Sequence, residues 1–336
     1  LRHDAINGFI VTRGERKIEG PPVILFAPDE AITVAAVRAL RAGVALLKHH
    51  EAGTLAGEVE PVHQFRVTIR RLRAAIELLV GVLHGSRLSY YRSELPFFGH
   101  SAGAVRDCDA LAELVRHHAA ELDPGIARAL IPAYQTLADR RVAALRETGQ
   151  LIRSPRYARL IERLNNPLAR RLPDQTTVAQ MAPAMLRPIV SSAVRVGARL
   201  TEGSPPPAFH RLRIRLKRVR YAFEMLDPLS GKQAAKALKR LRRMQEVLGE
   251  QQDLVTTAAW MRQFARQPML TGETLLAAGA MLQLASERRE KVAAAAWKRW
   301  NKLRDSAILS KALKEFAEMS RIRMLAVSGA EGGDGA

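Results

Sequence analysis

From Asp29 onward the apolar residues of this chain recur with a helical period. Val37, Leu40, Val44 and Leu47 fall at i, i+3, i+7 and i+10, and Asp29 stands where a helix cap is needed. A Gly-containing stretch, AGTLAGEVEP, predicts a loop, and a second helix opens at His63. Further helical segments are predicted over about 86–121, 124–150 and 153–164. Residues 165–180, NNPLARRLPDQTTVAQ, are rich in breakers and read as a linker. Helical spacing resumes with Leu186, Ile189, Ala193, Val196 and Leu200, and Pro188 is expected to start or kink that helix. GSPPP at 203–207 predicts a stiff turn, and long helices then run to about 325. The Gly-rich residues 326–336 are expected to be a disordered tail. Residues 1–28 read as an N-terminal arm or the remnant of a preceding segment. The chain thus divides into a first helical half, 29–164, and a second, 181–325.

The two halves share a sentence. HQFRVTIRRLRAAIELL (63–79) returns as HRLRIRLKRVRYAFEML (210–226), 147 residues later, with seven of 17 positions identical. AGAVRDCD (102–109) aligns with LGEQQDLV (248–255), which sets Asp107 opposite Asp253. The preceding helices align too, Val37 with Leu186 and Leu47 with Val196. So long a period does not suit a solenoid unit but suits a duplicated half-domain. The prediction is an all-α protein made of two copies of one helical bundle.

On a helical wheel, at about 100° per residue, Phe65, Ile69, Leu72, Ile76 and Leu79 form one apolar stripe. Leu212, Leu216, Val219, Phe223 and Leu226 form its counterpart. A second arc carries His63, Arg66, Arg70 and Arg73 in the first copy, and His210, Arg213, Lys217 and Arg220 in the second. That row extends over about 15 Å. The copies keep these cations while exchanging Gln64 for Arg211 and Thr68 for Arg215 elsewhere on the wheel. Structural ion pairs are one reading, through Glu77 with Arg73, Glu224 with Arg220, and Asp107 or Asp253. The stripe nevertheless holds three cations for each acid. Neighbouring cations 5–6 Å apart repel by about 3 kcal/mol at an effective dielectric near 20. An external anion relieves that repulsion, and Arg forks suit phosphate oxygens.

Charge strengthens the anion reading. The formal net charge is +20, and residues 209–243 alone carry twelve Lys and Arg against Glu224 and Asp227. Lys232, Lys236, Lys239 and Arg243 make an additional row, whereas the matching first-half segment SRLSYYRSELPFF has only Arg87 and Arg92. Lys298, Arg299 and Lys302 form a C-terminal cluster that reads as a solvated face. Cys108 is the one cysteine, so no intrachain disulfide forms, and it reads as a small buried residue in a reducing compartment. No apolar run approaches the roughly 18 residues of a membrane span. The N-terminus has no secretory apolar region, and its lack of Met suggests a processed or trimmed product.

The repeated H-x2-R-x3-[RK]-[RK]-x-R helix, with the RDCD and QQDL segments, resembles the CHAD domain, the conserved-histidine α-helical domain. The resemblance covers about 29–325. It implies two four-helix bundles related by a pseudo-twofold axis, with a basic groove or channel between them. It also implies inorganic polyphosphate as the ligand. Such domains occur alone or after a CYTH-type triphosphate domain, which residues 1–27 are too short to hold. By position, the eight stripe residues would line the basic surface. Arg71 and Arg218 also match the motif and, with Lys232, Lys236, Lys239 and Arg243, are secondary candidates. Ala102, where the second copy has Leu248, departs from the repeat.

The expected function is therefore non-catalytic polyphosphate binding in the cytoplasm, on polyphosphate-containing granules, with no cofactor and no metal. A nucleic-acid binder is the alternative, but no aromatics interleave with the stripe as a stacking platform. A metal-dependent phosphohydrolase through His63, His210, Asp107, Asp109 or Asp253 ranks third, because cations ring each motif histidine. The adjacent pairs His49/His50 and His117/His118 read as surface residues unable to face one metal together.

Overall fold

The apolar stripes predicted for the two repeated helices are buried throughout. Phe65, Ile69, Leu72, Ile76 and Leu79, and their counterparts Leu212, Leu216, Val219, Phe223 and Leu226, are all within the core. The structure, a computed structural model, describes residues 24–169 and 176–331. The first half holds α1 (Ile32–Ala56), α2 (Val59–Leu78), α3 (Gly85–Ala119), the short α4 (Pro124–Arg128), α5 (Ile131–Ile152) and α6 (Pro155–Asn165). The second holds α7 (Val178–Ala198), α8 (Pro206–Met225), α9 (Lys232–Phe264), α10 (Gly272–Asp305) and α11 (Ile308–Glu331). Among the described residues there is no strand, only two isolated bridges, Ala31 with Thr177 and Leu83 with Ala169. The fold is all-α.

Each half runs in the same order. α1, α2 and α3 pack side by side and α5 returns along α3; α7, α8 and α9 do the same and α10 returns along α9. α6 then covers α1, and α11 covers α7 and α9. The halves touch at the entries of α1 and α7 and in two further places. α2 meets α8 within the main core, and the far ends of α3 and α5 meet α9 and α10 in a separate cluster around Leu111, Val115, Leu137, Trp260, Phe264 and Met281.

Several boundaries differ from the sequence expectation. Asp29 does not cap α1, whose N-cap is Ala31 without a side-chain bond. Asp29 instead accepts a 2.6 Å bond from Arg323 of α11. The entry to α1 is held by backbone bonds to the entry of α7, Ile32 N–H to Thr176 O and Val178 N–H to Glu30 O. α7 therefore starts inside the expected linker, on a Thr177/Gln180 capping box, and continues through Pro183 and Pro188. Pro188 does not start it. Residues 24–28 belong to the fold rather than to an arm, because Ile24 and Phe26 enter the core and Phe26 N–H bonds Met225 O. Residues 1–23, 170–175 and 332–336 lie outside the described residues. The backbone of 326–331, expected as tail, is the end of α11.

Two helices pack closely enough to need glycine. A Cβ on Gly197 of α7 would lie 1.9 Å from Trp300 of α10, whose indole N–H donates to the Gly197 carbonyl at 3.0 Å. Gly197→Ala is expected to lower stability by about 2 kcal/mol or more through overpacking. Urea denaturation beside Gly203→Ala, a position with open space around it, measures this. Equal midpoints for the two variants would contradict the packing.

Candidate functional site

α2 and α8 present their apolar sides to the core and their basic sides to each other's half. A cavity of about 630 Å³ lies between the halves, lined by α2 and α8 and by the distal cluster. His63, Arg66 and Arg70 enter it from α2, and His210, Arg213 and Lys217 from α8. A second hollow of about 500 Å³ opens beside the first. Arg66, Arg70, Arg213 and Lys217 line both, so these four cations stand between the two spaces.

Six of the eight predicted stripe residues thus converge on one cavity. Arg73 lines only the second hollow. Arg220 is turned away, donating to Gln245 (2.9 Å) and Glu224 (2.9 Å) with its guanidinium over the Tyr221 ring. Of the secondary candidates, Arg218 lines the second hollow, and Arg71 lines a smaller one of about 180 Å³ with Arg242 and Glu224. Lys232, Lys236, Lys239 and Arg243 are exposed on α9 and line none of these spaces.

The ion-pair alternative holds for part of the stripe. Arg66 meets Asp107 at 2.5 Å, and Arg220 meets Glu224 as expected. Glu77 does not pair with Arg73; it takes Arg92 of α3 at 3.1 Å. Arg70, Arg213 and Lys217 have no ion pair among the described residues, and the Nε atoms of Arg70 and Arg213 are buried without a hydrogen-bond partner. Burial holds both guanidinium groups below their ordinary range, yet an arginine stays charged in a protein. Lys217 responds differently. Burial first, then the charges of Arg213, Arg70, Arg220 and Arg66, push its ammonium down to about 7.

The two motif histidines are held differently. Burial, then Arg106, keeps the His63 imidazole below its ordinary range, with Glu60 opposing. His210 Nδ1 lies 2.5 Å from Gln252 Oε1, while the Gln252 amide N–H donates to Thr256. Gln252 therefore takes the Nδ1–H of His210. Nε2 is left for the cavity, and it donates to an anion only when protonated. Asp253 is raised by burial, with Arg213 and Lys217 opposing.

The sequence reading missed Arg106 and Arg140, which add two more cations to the cavity. Arg106 was open to discovery, since it precedes Asp107 and aligns with Gln252. Arg140 sits on α5, and nothing local marks it. Cys108 faces the cavity rather than a packed interior, and burial followed by Asp109 raises its thiol. His118 is buried, not a surface residue. His117, His118 and Glu121 bring one ligand atom each within 4.8 Å, so adjacency does not keep the two rings apart. The group is already served by Arg288 of α10, which bonds His118 Nδ1 at 3.0 Å and pairs with Glu121.

A family profile for the CHAD domain matches residues 38–262. The chain belongs to the CHAD-domain family. The CHAD fold is seen in the crystal structure of the CHAD domain from the plant Ricinus communis, at a TM-score of 0.65 and 24% identity, covering 82% of this chain and 94% of that one. PptA from Streptomyces chartreusis is similar at a TM-score of 0.64 and 21% identity, covering 82% and 100%. No curated protein sequence matches the chain. Among the described residues of this CHAD protein, no helix is long and apolar enough to cross a membrane.

Lys217 binds fewer protons folded than unfolded between about pH 7 and 10. Stability therefore rises with pH in that window, and the charged form opposes folding below it. Lys217→Met is expected to be more stable than wild type at pH 6 by roughly 1 kcal/mol or more. The gap should close toward pH 10. Urea titrations of both proteins across this range at low salt measure it, and a pH-independent gap would contradict the buried-charge assignment.

Proposed function

We propose that this CHAD protein binds inorganic polyphosphate, without turnover, in the cavity between its halves. One observation carries the reading: Arg70, Arg213 and Lys217 converge there half-buried, and no carboxylate among the described residues forms an ion pair with them. Cations kept out of water and near one another oppose folding unless an anion joins them. The cavity adds Arg66, Arg106 and Arg140 against two acids, Asp107, which is paired with Arg66, and Asp253, which feels the charges of Arg213 and Lys217 without forming an ion pair. A ligand for such a wall needs many negative oxygens and little else. Polyphosphate supplies them, and it is the ligand that the family implies.

Nucleic acid is supported less well. Trp260 lines the cavity, but its ring stacks on Phe264 inside the distal core and offers no platform for a base. Hydrolysis finds no pair of free carboxylates in the cavity, and no site residue is assigned a catalytic role. A cytoplasmic setting on polyphosphate-containing granules suits the proposed ligand.

Arg66→Ala/Arg213→Ala removes one charge-assisted donor from each half. Polyphosphate affinity is expected to fall by about 100-fold or more, with the helical circular dichroism unchanged. A folded double variant that titrates like wild type would sink the reading. Phosphate released from the chain by wild type with divalent metals would overturn the non-catalytic part.

Binding should also take up protons. Above pH 7 the Lys217 amine is mostly neutral in the free protein, and a bound polyanion restores its charge. Affinity should fall as pH rises above 7, by up to about tenfold per unit. Calorimetry in two buffers of different ionisation enthalpy reads the uptake, and Lys217→Met should reduce it. No buffer dependence at pH 8 would count against this linkage.

A further inference from the structure

Much of the second half's charge lies outside the cavity. Lys232, Lys236, Lys239 and Arg243 are exposed along one edge of α9, opposite its buried Ala237, Leu241 and Met244. The row measures about 16 Å at the helical rise. α10 folds back along α9, and the Arg299 guanidinium donates to the Arg243 carbonyl at 3.0 Å. That bond sets Lys298, Arg299 and Lys302, all exposed, beside the α9 row. The sequence alone reads these three as a merely solvated face; the structure makes them half of a two-helix surface.

None of these cations has a carboxylate partner among the described residues. The ion pairs nearby use other residues, Arg242 with Glu224 and Arg304 with Asp305. Glu315 of α11 is committed to the start of α9, accepting from the N–H groups of Gln233 (2.9 Å) and Ala234 (2.8 Å). The surface also lies beside the hollows that flank the site. Arg242, next to Arg243, lines the small hollow with Arg71 and Arg220, and that hollow shares Tyr221 with the larger one beside the cavity. The matching segment of α3 carries only Arg87 and Arg92, and Arg92 is paired with Glu77.

We propose that the outer face of α9 and α10 is a second polyphosphate-binding surface, which holds the part of a long chain that lies outside the cavity. This rests on the polyphosphate reading of the cavity and adds a preference for long chains. An open row of ammonium groups has no pocket to recognise a terminus or a base. It suits a flexible anion already held at one point, whose free portion is then presented at high effective concentration. Its place next to the hollows that flank the cavity favours this occupant over a separate nucleic acid.

The test compares tripolyphosphate with long-chain polyphosphate of several dozen units, on wild type and on Lys236→Gln/Lys239→Gln/Lys298→Gln/Lys302→Gln. All four changes are at exposed positions. Wild type should hold the long chain far more tightly than the short one. The quadruple variant should lose about tenfold or more on the long chain, with the slope of log affinity against log salt reduced by about 3. Its tripolyphosphate affinity should be unchanged. Wild-type affinity of the variant for the long chain would overturn the proposal, as would an equal loss on both ligands, which marks general attraction rather than a second contact. Loss of duplex DNA binding with long-chain binding intact would assign the face to nucleic acid and also overturn it. If wild type binds neither phosphate ligand, the reading of the cavity falls as well.

Discussion

Cations partly withdrawn from water, with no ion-pair partner among the described residues, set the terms for the rest of this molecule. Arg70, Arg213 and Lys217 are half-buried, and burial together with the neighbouring guanidinium groups lowers the proton affinity of each. Such an arrangement opposes folding, and the opposite side of the same two helices offsets it. Phe65, Ile69 and Leu72 on α2, with Leu212, Leu216 and Val219 on α8, are almost wholly removed from solvent. Each buried apolar side chain of this size contributes roughly 1.5–3 kcal/mol. One pair of helices therefore carries both core burial and the repulsion that it offsets. The site stays rigid because the residues that position it are core residues. An anion that binds only the folded state adds to stability by mass action.

The halves match in helix order but not in electrostatics. In the first half Asp107 takes Arg66 of the row, and Glu77 draws in Arg92 of α3 rather than Arg73. In the second, Asp253 aligns with Asp107 but forms no ion pair, and burial raises its proton affinity. Position 217 carries Lys where the first half has Arg70. The substitution has a consequence that Arg cannot reproduce. A guanidinium remains charged under this load, whereas an ammonium gives up its proton near neutrality. The second half is therefore the side whose charge depends on what is bound.

How far the sequence revealed this is a matter of range. Contacts along one helix were legible. The two apolar stripes followed from the wheel, and so did the six residues that enter the cavity. Arg73 and Arg220 were placed on the same row for the same reason, but a row of about 15 Å is longer than one cavity wall. Its end passes into the second hollow in one half and into a Gln245, Glu224 and Tyr221 environment in the other. What the wheel could not show is what other elements bring. Arg140 reaches the site only because α5 returns along α3. Ile24 and Phe26 were read as part of an arm because two apolar residues in extended chain carry no period. Pro188 lies inside α7, where its fixed φ is tolerated, so its presence did not mark a helix start.

The placement of four cations between two hollows bears on the shape of ligand that fits. A lone phosphate at Arg66, Arg70, Arg213 and Lys217 would meet them from one side and leave the other hollow to water. An unbranched anion could lie in both spaces and meet the cations from each side. Its added contacts would carry little further orientational cost once the first unit is held. The same placement disfavours a rigid, broad polyanion, because the side chains that would have to part are anchored on core-packed helices. Selectivity on this reading comes from flexibility and charge density, since the aromatic ring in the cavity wall, Trp260, is stacked on Phe264 within the distal core and presents no free face to a base.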